Sequence, residues 1–285
     1  MKIIEPSVEL LSELNITPES HIARCARVCY GKEFKEPNQE VDKKMVDGLI
    51  KRGHCSMLRH ASAYYSFTPT EYIPQVFVSE YVNTTKDKEN NIYASTNRQY
   101  SEEKNLWTDW SYTPKEFLEN CCGKDSELFK IFRLTFCITT QISTSRELNR
   151  KSPNNIAERS TRYCSSKDGL EICKPWWFKN FVDDIIKGNC THAEKWYYDN
   201  MIDVEGVYKV LLGTGMKPED ARGILPLDTA TKVIYTYSIQ EWQHILDLRL
   251  YDKAGKAHPN CHVVMAMVRD QINEFVKQHN IDYQV

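Results

Sequence analysis

Residues Ser145 to Cys164 read Ser-Arg-Glu-Leu-Asn-Arg-Lys-Ser-Pro-Asn-Asn-Ile-Ala-Glu-Arg-Ser-Thr-Arg-Tyr-Cys. The stretch places arginines at 146, 150, 159 and 162 and shows almost no apolar periodicity. Pro153-Asn154-Asn155 interrupts it, so it is not one continuous helix. Arginine grips phosphate and planar carbonyl groups through a two-pronged donor fork, and carboxylates spaced among arginines orient that fork. Two readings follow: a solvated charged loop, or a grip for a nucleotide or dinucleotide. Thr144-x-x-Glu147 has the form of a capping box, which predicts a helical turn or two over 146–151 with Arg146 and Arg150 on one face. Pro153 then throws the chain into a loop carrying Glu158, Ser160 and Arg162.

Working outward, the flanks are apolar and patterned. Phe129 to Thr140 alternates and is rich in Phe, Ile and Thr, which predicts a strand. Val233 to Ser238 predicts another, followed by a helix over Glu241 to Leu250. Ala257-His258-Pro259 opens a final helix reaching about His279. Upstream, Thr17 caps a helix with Pro18 at its first position and an inward stripe of Ile22, Cys25, Ala26 and Cys29. A second helix runs from about Val41 to Gly53 with Met45, Leu49 and Ile50 inward. Ala61 to Phe67 reads as a strand with Ala63, Tyr65 and Phe67 on one face. Residues 70–113 read as an insertion-bearing connection with an exposed turn at Lys86 to Asn91, and a short helix starts near Thr113-Pro114. Helices are also predicted over Ala193 to Leu212 and Pro218 to Arg222. Gly213-Thr214-Gly215 between them is a helix terminator rather than a phosphate loop, because no strand precedes it. Together these predict a mixed α/β fold, one domain over 1–285, with a central sheet flanked by long helices.

Composition narrows the function classes. Lys plus Arg is 37 against 39 acids, a net charge of -2, so there is no basic field for nucleic acid. No apolar run of about 18 residues exists to span a membrane, and the first residues lack a signal-peptide core, so a soluble cytoplasmic protein is expected. The 10 cysteines lack a CxxC pair and read as reduced thiols packed as small hydrophobes. Asn260-Cys261-His262 could suggest a thiolate nucleophile, and His258-x-x-Cys261-His262 a metal tripod. Cys261 falls inside a predicted helix, and the tripod lacks a fourth ligand, so neither is assigned and no metal is expected.

Four blocks, taken in order, resemble the flavin-dependent thymidylate synthases. Gly53-His54-Cys55-Ser56 with His60 is the first. Arg146-Glu147 through Arg150, Glu158, Ser160, Arg162 and Tyr163 is the second, and it matches the signature Arg-His-Arg, seven residues, Ser, except that Lys151 and Ser152 stand at its second and third positions. Ala221-Arg222 to Leu225-Pro226 and the segment ending in Leu248-Arg249 complete the set. The resemblance implies methylation of dUMP at C5, with FAD as cofactor and methylenetetrahydrofolate and NADPH as co-substrates. It makes Arg249 the catalytic cation at the uracil edge. Glu147, Arg150, Glu158, Arg159, Ser160, Thr161, Arg162 and Arg222 would contact dUMP. Ser56, Arg150, Lys151, Ser152, Glu158, Ser238, Ile239, Gln240 and His244 would line the flavin, with His54 and His258 as folate or flavin neighbours. It also implies a homotetramer whose active sites draw on neighbouring subunits. The Lys151 and Ser152 changes keep two alternatives: a methylase of UMP or a modified uridylate, and a nucleotide-binding paralogue without catalysis.

Overall fold

Two nine-residue strands hold the centre of the protein, each apolar on the face toward the main core and mixed on the other, where Thr135, Thr236 and Ser238 alternate with Cys137 and Ile234. The computed structural model describes residues 1–11, 14–32, 36–67, 75–106, 111–151, 153–162, 169–180 and 182–285. Within them the strands are β1 (Lys2–Ile4), β2 (Ser7–Leu11), β3 (Ser62–Phe67), β4 (Val82–Lys86), β5 (Ile92–Asn97), β6 (Ser111–Tyr112), β7 (Arg133–Gln141), β8 (Ile156–Glu158), β9 (Glu171–Cys173) and β10 (Ala230–Ser238). The helices are α1 (Pro18–Cys29), α2 (Gln39–Lys51), α3 (Arg98–Glu103), α4 (Pro114–Phe117), α5 (Ile142–Leu148), α6 (Val182–Ile186), α7 (His192–Gly213), α8 (Pro218–Ala221), α9 (Ile239–Arg249) and α10 (Pro259–Gln278). The mixed α/β class expected above is the one observed.

The central sheet runs β2-β7-β10-β8, all antiparallel. Its register sets Leu134 against Tyr237, Phe136 against Tyr235 and Ile138 against Val233. These residues share the main core with Trp242 of α9 and with Cys261, Val264, Met265, Val268 and Ile272 of α10. Trp242 locks α9 to the sheet: its ring meets Phe136 edge-on at 5.1 Å and its Nε1 donates to the Leu134 carbonyl at 3.1 Å. The opposite face carries Cys137 and Ile234 under Cys25 and Val28 of α1.

A second antiparallel sheet, β4-β5-β3-β6, lies beside the first. Alternation along β3 joins the two: Ala63 and Tyr65 pack into a cluster with Phe77 and Ala94, while Tyr64 points into the main core. There Tyr64 stacks on Phe117 at 4.4 Å and its hydroxyl accepts from the Arg133 amide at 2.9 Å. The third sheet is the parallel pair β1-β9, covered by Met201 and Tyr197 of α7.

Several expectations are corrected. The segment 70–113 is not a mere connection, since its described residues supply β4, β5, β6 and α3. Its exposed turn does occur where expected, with the Asp87 carboxylate accepting from the Glu89 and Asn91 amides and Asn90 at φ 66°. Phe129 belongs to a 3-10 segment over Ser126–Ile131, not to a strand, because Phe129 and Phe132, three apart, stack at 5.6 Å in the same core. In α2 Leu49 is buried as expected, but its buried apolar partner is Val46; Met45 is half-buried and Ile50 is exposed. Thr144-x-x-Glu147 is not a cap: the chain passes from β7 into α5 without a loop, and the orphan amides of Ile142 and Ser143 donate to the carbonyls of Thr229 and Leu227. α5 therefore ends at Leu148, and Arg150 and Lys151 lie beyond its C-cap, Asn149. Gly213 does close α7, with Gly215 at φ 91°. Cys261 stands in the first turn of α10 rather than its middle.

Candidate functional site

α5 and α9 end side by side, and a cleft of about 200 Å³ opens between their C-terminal turns. Leu148, Ile245 and Leu248 form its apolar wall, while Glu147, Arg150, Lys151, His244 and Arg249 supply the polar groups. Arg249 is the last residue of α9, four beyond the buried Ile245, so packing of that helix on the sheet sets where the guanidinium emerges. Arg249 Nη1 lies 3.6 Å from Glu147 Oε1. The same Glu147 oxygen accepts from the His258 amide at 3.5 Å, and the Glu147 charge bears on the Cys261 thiol. Glu147 therefore ties α5, α9 and the start of α10 together behind Arg249. Burial and the neighbouring Glu147 charge push the Cys261 thiol up, so it stays protonated. His262 is paired with Asp252 at 2.9 Å, so it and Cys261 lie beside different carboxylates.

At the other end of α9, Ser238 caps the helix and Glu241 completes the capping box, accepting from the Ser238 amide and hydroxyl at 2.9 Å each. Burial works against the Glu241 charge. The Arg133 guanidinium, the Ser238 donors and Lys151 more than offset that cost and hold the carboxyl below the ordinary range. Lys151 Nζ lies 3.2 Å from Glu241 Oε1, and Arg133 Nη1 3.8 Å from Oε2. Asn83 of β4 donates to Glu241 at 3.2 Å and accepts from Gln240 at 2.5 Å.

A second group of expected residues assembles elsewhere. Arg159, Ser160, Thr161 and Glu171 line a small cavity with Leu225 and Thr231. Arg222 donates to the Thr161 hydroxyl at 2.9 Å, and Arg162 to Glu219 at 3.3 Å, which docks the 159–162 loop on α8. Glu158 faces inward and accepts from Ser145 at 2.9 Å and Thr231 at 3.1 Å. The expected site residues thus fall into two groups whose cavities have no lining residue in common. Ser56 and His54 are exposed on and beside a 3-10 segment at Cys55–His60, in neither group. Ser238 is buried with its hydroxyl used in the cap and Ile239 is fully buried, so their side chains present nothing to the cleft. Ser152, Tyr163 and Cys164 lie outside the described residues.

Residues 80–276, more than half of the chain, match the family model described as thymidylate synthase complementing protein. The chain belongs to this family. Within the thymidylate synthase complementing family, it is similar to the flavin-dependent thymidylate synthase of Pyrococcus furiosus, 36% identical over 73 residues, which span 26% of this chain and 30% of that one. The enzyme of that name from Synechocystis sp. is 26% identical over 139 residues, spanning 46% and 63%. The chain thus matches less than two thirds of the length of either relative. A crystal structure of a UMP/dUMP methylase PolB from Streptomyces cacaoi bound with 5-Br dUMP superimposes with a TM-score of 0.44 at 15% identity, covering 98% of this chain and 96% of that one.

Four residues near the site escape a reading of motifs alone: Arg59, Asn83, Arg133 and Glu241. Arg133 left one trace, a cation between Phe132 and Leu134 in an otherwise apolar run. Glu241 left another, a Ser-x-x-Glu box ahead of a helix. Arg59 and Asn83 left none.

Proposed function

We propose that this protein methylates dUMP at C5 to give dTMP, using FAD, with methylenetetrahydrofolate as carbon donor and NADPH as reductant. The observation that carries the proposal is the convergence of Arg150, His244 and Arg249, drawn from two distant sequence blocks, on one cleft with an apolar wall. Guanidinium and imidazole donors over aliphatic side chains suit a phosphate-bearing ligand with a flat heterocycle. The donor set therefore fits a flavin dinucleotide and a uridylate; Arg150 and His244 would hold the former. The chemistry supplied by bound FAD is one-carbon carriage and hydride donation.

The chain's own part is orientation and electrostatics. Arg249 would present its guanidinium to the uracil carbonyl edge and stabilise negative charge growing in the ring. Glu147 holds that guanidinium from behind, so its direction is set before substrate arrives. A protonated thiol with no exposure makes Cys261 unfit to attack C6, which supports a route without a protein nucleophile. Because Arg159, Ser160 and Thr161 line a different cavity, with Arg222 bonded to Thr161, a complete site would combine the arginine cleft of one subunit with the 159–162 loop of another in a homotetramer.

The test is anaerobic single turnover of dUMP with pre-reduced FAD and methylenetetrahydrofolate. Yellow protein as purified and dTMP as product are expected. Protein that takes up no FAD and forms no dTMP overturns the proposal, and turnover of UMP in preference to dUMP reassigns the substrate.

A further inference from the structure

Lys151 lines the cleft, but its ammonium is committed to another partner. It sits 3.2 Å from the buried carboxylate of Glu241 and 6.0 Å from the Tyr237 ring centroid, with its side chain 18% exposed. Glu241 is bound from three further directions: the Ser238 cap, Asn83 of β4 and the buried Arg133 of β7. The carboxylate is thus a fixed anchor on the first turn of α9, and Lys151 is the arm that reaches it. Among the described residues between α5 and β8, Asn149 accepts from the Tyr235 hydroxyl at 2.7 Å, Arg59 donates to the Asn154 carbonyl at 3.0 Å and the Thr236 amide donates to the Asn155 carbonyl at 3.2 Å. Between Asn149 and Asn154 the Lys151–Glu241 pair ties the chain to α9. Arg150, its neighbour, is exposed and lines the same cleft.

We infer that Lys151 is a positioning residue: paired with Glu241, it latches the 149–154 segment to α9 and thereby aims Arg150 into the cleft. Its ammonium serves the protein, not the cofactor. This inference rests on the flavin reading only for its binding consequence, since the latch is a property of the fold. A lysine does this better than a neutral side chain because a partly buried carboxylate flanked by one guanidinium accepts a second cation at short range.

The experiment is a double-mutant cycle on the full chain with Lys151→Met, Glu241→Gln and both together, alongside Lys151→Arg. Two quantities are read: amide hydrogen exchange over 149–155, and the dissociation constant for FAD from quenching of flavin fluorescence. Each single variant should speed exchange over 149–155, with the double no faster than the faster single. FAD binding should weaken roughly tenfold or more in Lys151→Met, no further in the double, and return with Lys151→Arg. If Lys151 contacted FAD directly, Lys151→Met would weaken binding with exchange unchanged, and Glu241→Gln, by freeing the lysine, would leave binding unchanged or tighter. Either result overturns the latch, as do additive effects on exchange. Coupled exchange in a protein that binds no FAD leaves the latch standing and overturns the flavin reading instead.

Discussion

Arg249 is the residue on which the proposed chemistry turns. A cation at a helix C-terminus is favoured by about 0.3–1 kcal/mol with no function at all, and Arg249 occupies such a position at the end of α9. Its geometry asks for more, since Glu147 grips one edge of the guanidinium and the cleft receives the rest. Arg249→Ala is expected to lose single-turnover methylation by roughly 10²–10³-fold with flavin still bound, the usual magnitude for one preorganised donor. Arg249→Lys should recover little, because a point charge lacks the planar fork. Near-normal turnover in folded, flavin-loaded Arg249→Ala protein would leave only the helix-end role. For Cys261→Ala the expectation is the reverse, namely retained turnover. The thiol is buried and protonated, and Glu147 keeps its contacts with Arg249 and the His258 amide without it. Abolished methylation in folded Cys261→Ala protein would bring a thiolate route back.

At the scale of elements, α1 and the Cys55–His60 segment meet the central sheet through a buried chain of polar groups. His21 Nε2 lies 3.2 Å from the Thr135 hydroxyl, Thr135 2.9 Å from Thr236, and Thr236 2.9 Å from His60 Nδ1. Both rings are fully buried, and desolvation first, then nearby positive charge, pulls each imidazole from 6.5 down to about 3. The unfolded chain therefore binds protons that the folded chain refuses. The contribution of these two histidines should be constant above pH 6.5 and fall as pH drops from there toward 3, by up to about 1.4 kcal/mol per pH unit for each histidine. Urea midpoints across that range check this, and a midpoint that held steady would contradict it. Thr236→Val strips the hydroxyl that stands between Thr135 and His60, leaving buried polar atoms short of a partner. A loss of roughly 1–3 kcal/mol in unfolding free energy is expected at neutral pH.

For the whole molecule, the separation of the two residue groups decides what kind of assembly could be active. Arg249 lines the cleft between α5 and α9, whereas Arg222 is bonded to Thr161 in the other group. If complete sites form between subunits, Arg249→Ala and Arg222→Ala proteins, each inactive alone, should regain methylation when co-expressed or refolded together. Hybrid assemblies would then contain some sites with both arginines intact. Sedimentation of the mixture establishes that hybrids formed. Hybrids without any recovered activity would place both arginines in one chain's site, or remove Arg222 from it.

What the sequence determined by itself was local. Thr17, Thr113, Ser238 and His258 stand at helix starts because a side-chain acceptor three or fewer residues from an amide needs no distant partner. The β7 and β10 patterns and the α10 stripe were legible for the same reason, since a periodic apolar face reports its own burial. The arginine blocks were visible as residue types in order. Their arrangement was not. Thr144 and Glu147 imitate a cap, but distant carbonyls of Thr229 and Leu227 satisfy the helix start, and no local pattern announces them. Lys151 reads as a ligand residue until Glu241, 90 positions away in sequence, is brought beside it. Strand pairing and helix docking alone decide which charges neutralise one another and which are left facing a cleft, because both depend on contacts between segments that carry no information about each other in sequence.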